Sequence, residues 1–198
     1  MKKVATLGEI LMRLATPNKE RILQAKNFDA DYGGGEYNVA VSLSQFGVPT
    51  KFITALPDNA VGDAALYRIR GFGIDTTSIL RQGDRLGLYF LEHGAAMRAS
   101  KVVYDRAKSS ISDIKTNTVD WQKAFSDIDW FHFTGITPAL SKSEAEVTLE
   151  AAKAAKEARE EAKRKKEEEE ARKIAEAKAA EEAELAAAAA AAAEEAKR

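Results

Sequence analysis

The chain has 198 residues, with 30 Lys and Arg against 31 Asp and Glu, a net charge of -1 and no cysteine. This balance excludes the broad basic field that draws nucleic acid or an anionic membrane, and the missing thiols exclude disulfides and thiolate metal sites. No apolar run is long enough to span a membrane, and the stretch after Lys2 and Lys3 is cut by Gly8-Glu9 too early for a secretory signal, so a cytoplasmic protein is expected.

Val4 to Leu7 reads as a short buried strand ending at Gly8-Glu9. Two short strands are expected before the helix at Glu36 to Phe46, where Val39, Leu43 and Phe46 fall at helical spacing and Gly47 supplies a stop. Thr50 to Leu56 is a second apolar strand, ended by Pro57-Asp58, and Ala60 to Phe72 a second helix ended by Gly73. Alternation of strand and helix predicts a parallel sheet. Leu86 to Glu92 and Lys101 to Tyr104 are then two strands with a Gly94 turn and no helix between them, an antiparallel excursion suited to a flap. Asp129 to Phe133 returns as a buried strand, followed by Gly135 to Pro138 as a loop. Ser141 and Glu144 have capping-box spacing and open the next helix.

At Ala151 the alphabet changes. From there on the chain uses Ala, Glu, Lys, Arg, Ile and Leu, and all glycines, prolines and aromatic residues lie at or before Pro138. The expected division is a folded domain over residues 1–150 and a low-complexity helical extension over 151–198. The extension carries 12 basic and 13 acidic residues, with i,i+4 pairs at Glu160–Arg164, Glu161–Lys165, Glu168–Arg172 and Glu169–Lys173. A continuous helix from Lys142 to Arg198 spans about 85 Å. Beyond Leu149 the large apolar residues are Ile174 and Leu185, too few for a heptad seam. Lys163 to Lys166 is followed at once by Glu167 to Glu170, which cancels its field within about one Debye length. The alphabet suits an engineered extension, or alanines written for unidentified side chains, and the sequence leaves these open.

Several residues could carry chemistry. Gly33-Gly34-Gly35-Glu36-Tyr37-Asn38 sets consecutive glycines before a helix, a tight turn or a place where a ligand meets the main chain. Tyr104 and Arg106 alternate onto one strand face, and Tyr89 stands on the preceding strand. A phenol pair with a guanidinium suits a hydroxylated carboxylate, and a solvated hairpin face is the alternative reading. Glu9, beyond the carboxyl end of the first strand, could accept from a sugar hydroxyl. His93 reads as a turn residue and His132 as a satisfied residue beside the sheet. Capping accounts for Asp58, Asp63 and Asp75.

Together, Gly8 to Leu14, Gly33 to Asn38 with Ala40, Ser42 and Gly47, Asp58 to Asp63, Val103 to Ala107 and Phe131 to Pro138 resemble the N-terminal part of the ribokinase-type (phosphofructokinase-B) sugar kinases. Among these, the 2-keto-3-deoxygluconate kinases are the nearest in pattern. The resemblance covers residue 1 to about 156. It implies a partial three-layer α/β/α ribokinase-like domain with a small β-sheet lid, followed here by the long Ala/Glu/Lys helix. It also implies sugar hydroxyl contacts at Gly33, Gly34 and Asn38, a lid lined by Tyr89 and Tyr104, a carboxylate held by Arg106, a floor at Ile136 and a hydroxyl-binding role for Glu9.

In the family a further strand, an Asp-Leu-Asn segment and a Gly-Ala-Gly-Asp motif follow, the last supplying an anion hole and the catalytic base. None follows Pro138 here, so no catalytic residue is assigned. ATP and Mg2+ serve the family, and no cofactor is expected for this chain by itself. Phosphoryl transfer depends on positioning and charge stabilisation, and the expectation is a sugar-acid-binding remnant without transfer of its own. An assembly component, or a kinase completed by another chain, is the alternative. Expected partners are a small sugar acid and further copies of the chain, through the lid or an open sheet edge.

Overall fold

The computed structural model describes residues 2–195, with side chains through residue 183. Two units are distinguished, Met1–Lys156 and Glu157–Arg198. The first unit holds two four-stranded sheets. One contains β1 (Val4–Leu7), β4 (Thr50–Leu56), β5 (Ile79–Arg81) and β8 (Trp130–His132), in the order β5-β4-β1-β8 with all pairs parallel. The other contains β2 (Leu11–Ala15), β3 (Asp29–Gly33), β6 (Leu88–Glu92) and β7 (Lys101–Asp105), in the order β3-β2-β6-β7. In this second sheet β2 pairs antiparallel with β3 and parallel with β6, and β6 pairs antiparallel with β7.

Helices cover both faces of the parallel sheet, and one dipeptide shows why. Neighbouring strand residues point to opposite faces. Phe52 packs 6.0 Å from the Tyr37 ring of α1 (Gly35–Gln45), within a core that also takes Ala65 and Ile69 of α2 (Ala60–Gly71). Its neighbour Lys51 donates to the Ala124 carbonyl of α3 (Trp121–Phe125) at 3.0 Å and pairs with Asp127 at 3.1 Å. The buried lysine is thus paired on arrival, as burial of a charge demands.

Both helices of the first half end as their sequences require. Gly47 and Gly73 take positive φ after α1 and α2, where a side chain would be strained. Asn59, rather than Asp58, caps α2 by accepting from the Val61 and Gly62 amides. Asp58 and Asp63 instead pair with Arg81. Asp75 accepts from Thr77 and pairs with Lys3, and these contacts outweigh its burial and hold its carboxyl down at about 2.

Three expectations in this region are corrected. Residues Ile136–Ala139 form a short helix, α4, rather than a loop: Thr134 Oγ1 accepts from the Ile136 amide, and Pro138 sits in the first turn, where a missing donor costs nothing. The strand β8 is not buried; it is a sheet edge, and Trp130 is 61% exposed. His132 is not satisfied, since its buried Nε2 has no hydrogen-bond partner.

The helix α5 (Lys142–Glu195) begins with Ser141 as its cap, whose Oγ accepts from the Glu144 amide at 3.0 Å. The capping box is nevertheless half made. Both carboxyl oxygens of Glu144 are buried and unpartnered, so the acid does not fold back to the cap. Val147, Thr148 and Ala151 are buried on the same helix. In the second unit, residues 159–183 are exposed. There Glu161–Lys165 and Glu169–Lys173 pair as expected, both at 2.6 Å, while Arg164 reaches Glu168 and Arg172 reaches Glu176. Residues 196–198 of the expected helix lie outside the described residues. Among the described residues no helix is long and apolar enough to cross a membrane.

Candidate sugar-acid site

The carboxyl end of β1, the turn before α1 and the lid sheet converge. Lid register does the first part of the work: Tyr89 is opposite Tyr104, and their rings stand 5.8 Å apart. Arg106, just past β7, lies with its guanidinium 5.5 Å from the centre of the Tyr104 ring, a cation–π distance. Gly33 closes the other side, where a side-chain carbon would stand 2.8 Å from the Tyr89 hydroxyl. Gly34 is pressed against the chain leaving β1, and a Cβ there would collide with the Glu9 carbonyl oxygen.

Glu9 is 3% exposed. Its Oε2 accepts from Arg106 Nε at 2.7 Å and is also paired with Nη2, while Oε1 accepts from Ser109 Oγ at 2.6 Å. Burial pushes its carboxyl up, against the pull of Ser109 and Arg106. The structure therefore gathers Glu9, Gly33, Gly34, Tyr89, Tyr104 and Arg106. Asn38 and Ile136 are exposed on α1 and α4, and the Asn38 backbone amide donates to the Gly34 carbonyl at 2.8 Å.

Two further residues, Glu36 and Ser109, support the site, and a third, Glu144, is buried near Glu9 and Glu36 without a hydrogen bond; the sequence singled out none of them for this. Glu36, buried in the first turn of α1, accepts through Oε1 from the Thr134 amide at 3.1 Å, from Thr134 Oγ1 and from Thr137 Oγ1 at 2.8 Å. It lies so close to Gly8 that a Cβ there would meet its carboxylate. Ser109 holds Glu9. Glu144 is 0% exposed, and burial, with the neighbouring charges of Glu9 and Glu36, pushes its carboxyl up to about 8. A weak signal existed for Glu36, an acid directly after a glycine run. Nothing local marked its threonine partners, about a hundred residues on.

The glycine turn does not fit a nucleotide triphosphate. Gly33 and Gly34 are spent on close approaches to Tyr89 and to the backbone of Glu9, and the first turn of α1 carries the buried Glu36, a poor neighbour for phosphate. Among the described residues no group of three His, Cys, Asp or Glu side chains could hold a metal ion.

The first unit thus combines a parallel sheet with helices on both faces and a second sheet that carries Tyr89 and Tyr104, with Arg106 just past its last strand. The chain belongs to the pfkB family of carbohydrate kinases, whose profile matches residues 1–165. It is similar to a 2-dehydro-3-deoxygalactonokinase of Haloferax volcanii, 33% identical over 153 residues, which are 77% of this chain and 48% of that protein. It also matches the crystal structure of a 2-dehydro-3-deoxygluconokinase from Thermotoga maritima, with 50% identity, a TM-score of 0.77 and coverage of 79% of this chain and 48% of the other. A PfkB family carbohydrate kinase from Listeria grayi gives 39% identity, a TM-score of 0.77 and coverage of 80% and 49%. The chain spans about half the length of these relatives.

Proposed function

We propose that residues 1–156 bind a small sugar acid of the 2-keto-3-deoxygluconate class on the Gly33, Gly34, Tyr89, Tyr104 and Arg106 face. The observation that carries this reading is the guanidinium of Arg106, held on the buried Glu9 and 5.5 Å from the centre of the Tyr104 ring. Arginine meets a carboxylate with two parallel charge-assisted hydrogen bonds, and the tyrosine hydroxyls suit the remaining polyol. The names of the relatives, kinases of 2-dehydro-3-deoxy sugar acids, support the same acceptor class. The family resemblance adds Asn38 and Ile136, exposed on α1 and α4, to the proposed ligand contacts.

We propose further that the 198-residue chain does not transfer phosphate by itself. Where the family resemblance calls for a base motif after Pro138, α5 runs from Lys142 to Glu195. ATP with Mg2+, the family's donor, belongs to a chain that supplies that motif. The test is calorimetry with 2-keto-3-deoxygluconate, coupled to an ADP-release assay with ATP and magnesium. Heat of binding without ADP release is expected. No heat from folded protein removes the binding claim, and steady ADP release removes the claim of incompleteness.

A second reading, assembly, has its own observation. The lid ends at β7, whose residues Val102, Val103 and Tyr104 are exposed, and the parallel sheet ends at β8 with Trp130 exposed. Sheet edges with apolar residues recruit further chains. Light scattering is expected to give a mass above that of the 21.6 kDa monomer. A monomer persisting at high concentration rejects this reading.

A further inference from the structure

Glu9 is 97 residues from Arg106 in sequence, and the fold makes the two a single unit. Arginine has two edges able to grip a carboxylate: the side edge, Nε with Nη2, and the end edge, Nη1 with Nη2. Glu9 takes the side edge: its Oε2 accepts from Nε and is ion-paired with Nη2. Its Oε1 is taken by Ser109 Oγ at 2.6 Å. With both oxygens engaged and 3% exposure, Glu9 presents nothing to a ligand hydroxyl.

The surroundings hold the pair in this arrangement. Gly87 passes beside it, and a Cβ there would stand 2.5 Å from Glu9 Oε1 and 3.3 Å from Arg106 Cβ. Tyr104 supports the guanidinium on its ring side. What remains of Arg106 is its end edge, and its side chain is 23% exposed. A free arginine loses considerable rotamer freedom on gripping a ligand, and one already docked on Glu9 has lost most of it beforehand.

We infer that Glu9 is a positioning residue: it docks the side edge of Arg106 so that the end edge is presented to the ligand's carboxylate, and it touches no ligand atom itself. The inference rests on the sugar-acid reading above and replaces the hydroxyl-binding role expected for Glu9.

The experiment compares the sugar acid with its uncharged carboxamide, in the wild-type chain and in Glu9→Gln. If Glu9 acts through Arg106, the substitution weakens binding of the acid about tenfold or more and leaves the carboxamide nearly unchanged. Equal losses for both compounds, or tighter binding of the acid, overturn the inference. Should Glu9→Gln fail to fold, Ser109→Ala removes one anchor of the same carboxylate, and a smaller loss confined to the acid is expected. NMR of the Arg106 Nε–H adds a readout that needs no ligand: a slowly exchanging signal in the wild type that is lost in Glu9→Gln is expected, and an unchanged signal overturns the docking. A wild-type chain that binds neither compound refutes the sugar-acid reading, and the NMR result still decides whether Glu9 fixes Arg106.

Discussion

Replacing Glu144 with glutamine should stabilise the fold by about 3 kcal/mol at pH 7. The wild-type carboxyl is fully buried, hydrogen-bonded to nothing and near the buried Glu9 and Glu36, which together push it from the ordinary 4.5 up to about 8. Between those two values the folded chain holds a proton that the unfolded chain has released. The stabilising contribution of this proton is therefore complete below pH 4.5, declines as pH rises through the window and is gone above about 8. Glutamine has the same shape and is neutral throughout, so the burial of a polar group is common to both chains and the pH dependence is not. Urea denaturation at pH 5, 7 and 8.5 should show the gap between variant and wild type widening to about 5 kcal/mol at the highest pH. Parallel curves at all three would show that Glu144 is already solvated or paired.

Alanine at Gly34 should destabilise the chain by about 1–3 kcal/mol or more and abolish sugar-acid binding, whereas alanine at Gly35 should be close to neutral. The two glycines are adjacent and chemically identical, and their surroundings differ completely. A Cβ on Gly34 would strike the Glu9 carbonyl oxygen and come within 3.1 Å of the Glu9 carbonyl carbon and 3.4 Å of Ile10 Cα, all main-chain atoms that cannot rotate away. Relief requires moving the segment after β1, and Glu9 would carry Arg106 with it. A Cβ on Gly35 meets nothing within 4 Å, in the first turn of α1, where alanine also narrows the unfolded ensemble. Thermal melts and calorimetry on the two variants check both parts. A Gly34→Ala chain that melts and binds like wild type would show that the turn has room to open.

This contrast shows how far the glycine run could be read in advance. Three glycines before a helical pattern left a tight turn or a ligand's approach to the main chain open, and the structure shows the chain itself closing on two of them: Gly33 faces Tyr89 and Gly34 faces Glu9. Which glycine meets what depends on segments elsewhere in the chain. β1, α1, β4 and α2 were legible because each rests on a local period, two for strands and 3.6 for helices, closed by Gly or Pro, whereas β2 and β3 were expected without bounds. The short elements were missed for the converse reason. β5 is three residues long, and α3 and α4 are five and four, too short for a period to register. The Ser141–Glu144 spacing predicted a capping box, and its amide half formed, but tertiary packing drew the Glu144 side chain inward instead.

What the sequence determined by itself was the local grammar: alternating strands and helices, two successive strands carrying Tyr89 and Tyr104, and a change of alphabet at Ala151 that can be nothing but helix-favouring. It also placed Arg106 and Glu9 among the residues of interest. Only the tertiary structure joined them. The pairing of Glu9 with Arg106 and Ser109, the grip of Glu36 on Thr134 and Thr137, and the isolation of Glu144 each depend on where chain segments about a hundred residues apart come to rest. Side-chain electrostatics act over a few ångströms, and sequence distance carries no information at that range until the sheets have closed.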